Sequence, residues 1–229
     1  LSQSPDEIVA RRVAFLTDYQ SAAYAKRYEA LVEKVRAAEA AMSAGDTLTK
    51  AVARSLFKLM AYKDEYEVAR LYTSGEFEKR LNDTFEGDFK VKYNLAPPLL
   101  AKRDAQGHLV KAQYGAWMKY TFKWLAMFKG LRGTALDPFG YTAERKMERG
   151  LVRDYEALIV EMLASLSPKN HRTAVELASL PERLRGFGHI KDRNVVAVAA
   201  ERDRLLQQFR GDAGIGLAAR RQASSGNLR

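Results

Sequence analysis

A mainly α-helical fold with one small inserted β-ribbon is what this sequence predicts. Three observations carry that expectation. Apolar residues recur at alternating three and four spacing along nearly the whole chain. Residues 88–95 alone alternate strictly, and capping Ser, Asp and Thr residues or Gly and Pro breaks bound each periodic run.

Ser4-Pro5-Asp6-Glu7 opens the first element with a capping Ser, a Pro at the first helical position and two acids on the positive end of the dipole. Val9, Val13, Leu16, Tyr28, Leu31, Val35, Ala38 and Met42 then predict one long helix to about Gly45. Asp46-Thr47 starts a second, carrying Leu48, Val52, Leu56, Leu59, Tyr66 and Ala69 to about Tyr72. Two long helices with so short a link form an antiparallel hairpin. Ser74-Gly75 breaks it before a short amphipathic helix over 76–86. Phe89, Val91 and Tyr93 alternate with Asp88, Lys90, Lys92 and Asn94. Pro97-Pro98 ends that strand, and a turn at 104–107 brings back His108-Leu109-Val110, giving a ribbon over about 88–112. Such a ribbon must lean on helices, because alone it is marginal in water.

Helix returns at Tyr114 and stops at Gly130 or Gly133. Another follows Thr142, with Met147, Leu151, Tyr155, Leu158, Met162 and Leu166 on its inner face. Ser167-Pro168 starts a further helix through Leu177, Pro181 a short one, and a last helix runs to about Phe209. Residues 211–229 hold four Gly and few large apolar side chains and read as a disordered tail. The expected organisation is one helical domain over 1–210 followed by that tail.

Composition excludes several chemistries. The 229 residues contain no Cys and three His, so disulfides, Cys-ligated zinc, internally ligated iron–sulfur clusters and thiol nucleophiles are ruled out. No run is long enough for a membrane span, and the start lacks the pattern of a signal peptide, so a cytoplasmic chain is expected. The missing initiator Met suggests a trimmed chain or a piece of something longer. Thirty-eight Lys and Arg against 28 Asp and Glu give a net charge of +10, which favours anionic partners without identifying one.

Four motifs invite a functional reading. Gly214-Ile215-Gly216-Leu217-Ala218-Ala219 has the look of a dinucleotide fingerprint but follows a helix rather than a strand, which favours a linker. Arg185-Gly186-Phe187-Gly188-His189-Ile190-Lys191 sets Arg185, His189 and Lys191 at the start of the last helix, where an anion could be held; a tight turn plugged by Phe187 is the plainer reading. Lys63, Asp64, Glu65, Glu67 and Arg70 form a charge run on the second helix, with Lys63 to Glu67 and Glu67 to Arg70 as i,i+4 and i,i+3 partners. Glu144 and Arg145, with Glu148 and Arg149, could join them in a polar network. Acid–base catalysis there, around Lys63, Glu65, Glu144 and His189, weighs less than structural pairing, because evenly balanced carboxylates stay ionised. Finally, Lys119, Lys123, Lys129 and Arg132 interleave with Trp117, Tyr120, Phe122, Trp124 and Phe128. That mixture suits single-stranded nucleic acid or a membrane interface, although the spacing places Trp117, Thr121, Leu125 and Phe128 on a core face opposed to Lys119 and Lys123. No catalytic or metal-ligating residue is assigned; Arg132, Arg185, His189, Lys191, Lys119 and Lys123 are the candidate anion- or partner-binding cations.

In order, Ala61-Tyr62-Lys63-Asp64-Glu65-Tyr66-Glu67-Val68-Ala69-Arg70-Leu71, Leu95-Ala96-Pro97-Pro98-Leu99-Leu100, Leu131 to Asp137 with Phe139-Gly140-Tyr141-Thr142-Ala143-Glu144-Arg145, and Arg185-Gly186-Phe187-Gly188-His189 resemble the C-terminal helical region of bacterial indolepyruvate ferredoxin oxidoreductases, over residues 5–210. The resemblance implies a homo-oligomeric parent that uses thiamine diphosphate, Mg²⁺, iron–sulfur clusters and CoA to decarboxylate an aryl-pyruvate oxidatively and reduce ferredoxin. Every cofactor motif of that family lies outside these residues, so no catalytic position carries over. The chain is then expected to be a non-catalytic accessory domain that binds no cofactor, touches the parent's other domains and offers a basic surface to CoA phosphates or acidic ferredoxin. The alternative is a basic helical module that binds nucleic acid or another polyanion.

Overall fold

The computed structural model describes residues 4–87, 89–96, 101–102, 104, 110–183 and 198–214. It is mainly helical with one small antiparallel ribbon, the expected class. The elements are α1 (Pro5–Tyr19), α2 (Ala22–Ala41), α3 (Thr47–Met60), α4 (Glu65–Thr73), α5 (Glu76–Thr84), β1 (Tyr93–Leu95), β2 (Ala112–Tyr114), α6 (Met118–Met127), α7 (Ala143–Ser165), α8 (His171–Ser179) and α9 (198–214). Single 3₁₀ turns cover Lys129–Leu131 and Leu180–Arg183.

Both long helices expected at the N-terminus are divided. The first breaks at Gln20-Ser21, where Ser21 becomes an extended cap whose hydroxyl accepts from the Tyr24 N–H at 3.2 Å. The second breaks over 61–64, where Asp64 caps α4 by accepting from the Glu67 N–H at 2.8 Å. Apolar spacing runs through each break, so periodicity alone joins what capping side chains separate. Tyrosines seal the end of α3: Tyr24 Oη donates to the Met60 carbonyl at 3.1 Å and Tyr19 Oη to the Tyr62 carbonyl at 2.7 Å. Further along, Tyr28 Oη reaches the Ala53 carbonyl, and Glu39 meets the N–H groups of Leu48 and Thr49. The pairings 24 with 60, 28 with 53 and 39 with 48 run in opposite senses, so the antiparallel hairpin expected here consists of α2 and α3.

The chain divides into two compact units, residues 1–62 with 147–229 and residues 63–146. Within the first, Leu16, Tyr19, Tyr28, Val32, Val35, Leu48, Val52, Leu56 and Met60 form a core with Ile159 and Met162 of α7, Leu177 of α8 and Leu205 and Phe209 of α9. In the second, Ala69, Tyr93, Met118 and Phe122 are buried together. Tyr72 stacks on Phe122 at 5.2 Å and meets Tyr93 edge-on at 5.2 Å, which supplies the helical support the ribbon needs. Register pairs Tyr93 with Tyr114, Asn94 with Gln113 and Leu95 with Ala112. The ladder is shorter than the expected 88–112 span, and the returning strand falls at 112–114. Pro97-Pro98 and His108-Leu109 lie outside the described residues. At the C-terminal end the last helix continues through residue 214, so 211–214, expected in the tail, are helical. Among the described residues no helix is long and apolar enough to cross a membrane.

Candidate functional site

In the unit of residues 63–146, capping chemistry places the charges. Asp64 ends an extended link and its Oδ1 takes the Glu67 N–H, which fixes the carboxylate at the positive end of α4. Arg132, just after the 3₁₀ turn that follows α6, reaches it bidentately: Nε to Oδ2 at 2.5 Å and Nη2 to Oδ1 at 2.8 Å. The two side chains are 2% and 3% exposed, so this is a buried ion pair. The guanidinium also lies over the Tyr66 ring, 5.5 Å from its centroid. Tyr66 donates to Asp137 Oδ1 at 3.2 Å and packs edge-on against Phe139. Asp137, buried in turn, accepts from the Phe139 N–H at 3.1 Å and the Gly133 N–H at 2.8 Å. Burial pushes the Tyr66 hydroxyl above its ordinary pKa, and the Asp137 carboxylate adds to the rise. Gly140 is required by space here: a Cβ on it would stand 2.7 Å from Asp137 Oδ2.

Beside this lock, Arg70 holds Glu67 with two bonds of 2.8 Å, the i,i+3 pair the sequence predicts. Lys63 precedes the first residue of α4 and is exposed, so the i,i+4 helical partnership expected with Glu67 has no helix to stand on. Arg145 comes within 3.5 Å of Glu65 and 3.8 Å of Glu144, linking α4 to the start of α7 as anticipated. Glu65 Oε2 is buried with no hydrogen-bond partner. Burial raises its carboxyl above the usual glutamate range and outweighs the opposing pull of Arg145. Lys63, Glu65, Glu144 and Arg145 share the rim of a cavity of about 300 Å³ whose apolar wall includes Leu95, Phe122, Leu125 and Phe139. A carboxyl whose proton is held more tightly by burial, beside a cavity, is the raw material of acid–base chemistry, although Arg145 pulls it back towards the ionised form. His189, the other member of the expected acid–base set, lies outside the described residues, as do Arg185 and Lys191.

The expected cations therefore separate. Arg132 is spent internally on Asp64. Lys119 pairs with Glu78, and Lys123 stands exposed on α6. The aromatics of α6 depart from expectation. Met118 and Phe122 face the core and Leu125 packs against them as expected, while Trp117, Thr121 and Phe128 are exposed, because the helix presses its 118/122/125 face onto Ala69 and Tyr93.

Sequence reasoning missed a buried carboxylate in the other unit. Glu39, near the end of α2, accepts from the N–H groups of Leu48 and Thr49 at 2.8 Å each and from Thr49 Oγ1 at 2.7 Å, and lies 2.7 Å from His171 Nε2. Burial pushes its carboxyl up, but these hydrogen bonds win and hold it below the ordinary range. Asp46, the cap that the sequence suggested for α3, makes no side-chain cap bond. Among the described residues, no three His, Asp or Glu side chains gather as a metal site requires.

Residues 5–204 match a protein family described as a family of unknown function, DUF6537. No curated protein and no solved structure matches the chain.

Proposed function

We propose that this chain, which belongs to the DUF6537 family, serves as a non-catalytic structural and interaction module of a cytoplasmic, homo-oligomeric enzyme resembling indolepyruvate ferredoxin oxidoreductase. One observation carries the reading. The residues behind the resemblance at 61–71 and 131–145 are the ones that build the closed lock of Asp64, Arg132, Tyr66, Asp137 and Gly140. The polar groups of the lock are spent on one another, which suits a brace; Glu65, with Arg145 as its ion-pair partner beside the cavity, stands outside that lock.

The cofactors implied by the parent reaction do not fit the residues present. Iron–sulfur clusters need thiolates, and the chain has no Cys. Thiamine diphosphate with Mg²⁺ needs open carboxylates and a diphosphate cradle, and among the described residues the buried carboxylates Asp64, Asp137 and Glu39 are each occupied by protein donors. On this reading, decarboxylation of an aryl-pyruvate, acyl-CoA formation and electron transfer to ferredoxin belong to other domains of the parent. This module would brace them and present positive charge to acidic ferredoxin.

The test is a parent enzyme with and without this region. The expected result is that deletion dissolves the assembly or abolishes ferredoxin reduction, while the isolated 229-residue chain turns over no 2-oxo acid. Turnover by the isolated chain, or full ferredoxin reduction by an intact assembly lacking it, overturns the proposal.

A further inference from the structure

The geometry of α6 leads us to infer that its outer face is a docking surface for an acidic amphipathic helix of a partner protein. Trp117, Tyr120, Trp124, Met127 and Phe128 recur at i, i+3, i+7, i+10 and i+11, one continuous stripe along the helix. All five are between 48% and 73% exposed. The opposite face, with Met118 and Phe122, already holds the helix against Ala69 and Tyr93. Apart from the edge-on contact of Trp117 with Tyr114, the stripe is surplus to folding, and apolar side chains at this spacing are how a helix meets a groove or a second helix. Tryptophan and tyrosine are also the anchors that dominate binding energy at interfaces.

Charge selects the partner. No Asp or Glu occurs between Ala105 and Leu136, while Lys111, Lys119, Lys123 and Lys129 do. Lys123 stands exposed along one edge of the stripe, beside Lys119, which Glu78 engages. A second copy of this chain would bring the same positive edge and the same net charge of +10 against itself, which disfavours self-association. A polyanion such as single-stranded nucleic acid, or an anionic membrane, calls for a row of available cations. Here Arg132 is buried on Asp64 and Lys119 is engaged by Glu78. A large apolar stripe with a light basic edge fits apolar anchors flanked by carboxylates. The inference rests on the interaction-module reading and names its surface, but its test needs no catalytic domain. Failure here with an intact parent assembly would remove this surface alone.

Trp117 and Trp124 are the chain's two tryptophans, so emission reports on the stripe directly. The full chain is titrated with a helical peptide bearing Leu at i, i+3, i+7 and Glu elsewhere, then with its Lys-for-Glu analogue. Oligo-dT and phosphatidylserine-containing vesicles complete the set of probes. The expected result is a saturable blue shift with the acidic peptide, at least tenfold tighter than with the basic one. Tyr120→Ser combined with Trp124→Ser should weaken it at least tenfold without lowering the midpoint of unfolding, and Lys123→Glu should weaken it severalfold. Equal response to both peptides, or none, overturns the inference. So does a shift given only by oligo-dT or vesicles, a concentration-dependent dimer in sedimentation, or emission already blue-shifted in the dilute free chain.

Discussion

Asp64 and Arg132 illustrate why a buried ion pair is costly to break and inexpensive to replace. Each charge has left water, and what compensates it is the partner, with the Glu67 N–H completing the carboxylate's set. Removing one member strands the other: Asp64→Ala should cost about 3–5 kcal/mol. Replacing both with apolar residues, Asp64→Ala with Arg132→Met, should cost clearly less than the single change. Urea unfolding of the three proteins measures the difference, and equal losses would show that the pair is not the source of stability. Glu39 gives a pH signature. Its carboxyl is held below the ordinary range in the folded chain, so ionisation favours folding. That contribution is complete above the unfolded value of about 4.3 and is lost as pH falls through the folded value. Glu39→Gln should therefore lower stability at pH 7 by roughly 3 kcal/mol, from the charged bonds to Leu48 and Thr49, and flatten the acid limb of the stability curve. An acid limb unchanged by the substitution would count against this assignment.

How the sequence reads depends on which face of an element it describes. Helix existence, the α2/α3 hairpin, α5 and the ribbon follow from period and punctuation, because burial of one stripe dictates the spacing. The breaks at Ser21 and Asp64 do not, since capping competes with helix continuation through contacts that only the folded chain supplies. Of the candidate site, the Glu67–Arg70 pair and the link from Arg145 to Glu65 are legible from spacing and charge. The Asp64–Arg132 pair joins residues 68 apart in sequence and is not, although Asp64 three before Glu67 has the form of a capping box. Helix α6 is ambiguous for another reason: both its faces are apolar, so periodicity cannot say which one is inside. That ambiguity makes a sharp comparison. Phe122→Ala, on the buried face, should cost about 3–5 kcal/mol, whereas Trp124→Ala, 65% exposed, should stay within about 0.5 kcal/mol. Reversal of that order in denaturant unfolding would mean that the helix is turned the other way.

For the molecule as a whole, net charge is the property that no single contact explains. Salt bridges such as Arg27 with Glu156, Arg36 with Asp6 and Arg204 with Glu201 use cations and acids one for one, so they leave the excess of ten positive charges untouched. An excess of this kind does little for the fold and acts on encounter: it raises the local concentration of an anionic partner and speeds its arrival. Screening then sets the measurable consequence. At 0.01 M salt the field reaches about 30 Å and at 1 M about 3 Å, so steering should fade across that range while apolar contacts persist. If the module guides acidic ferredoxin, the second-order rate of ferredoxin reduction by the parent enzyme should fall at least tenfold between low and high salt. Changing Lys119, Lys123 and Lys129 to Glu should lower the low-salt rate and flatten the dependence, leaving the high-salt rate within about twofold. A salt slope identical in the two enzymes would place the steering charge elsewhere and reduce this region to a brace.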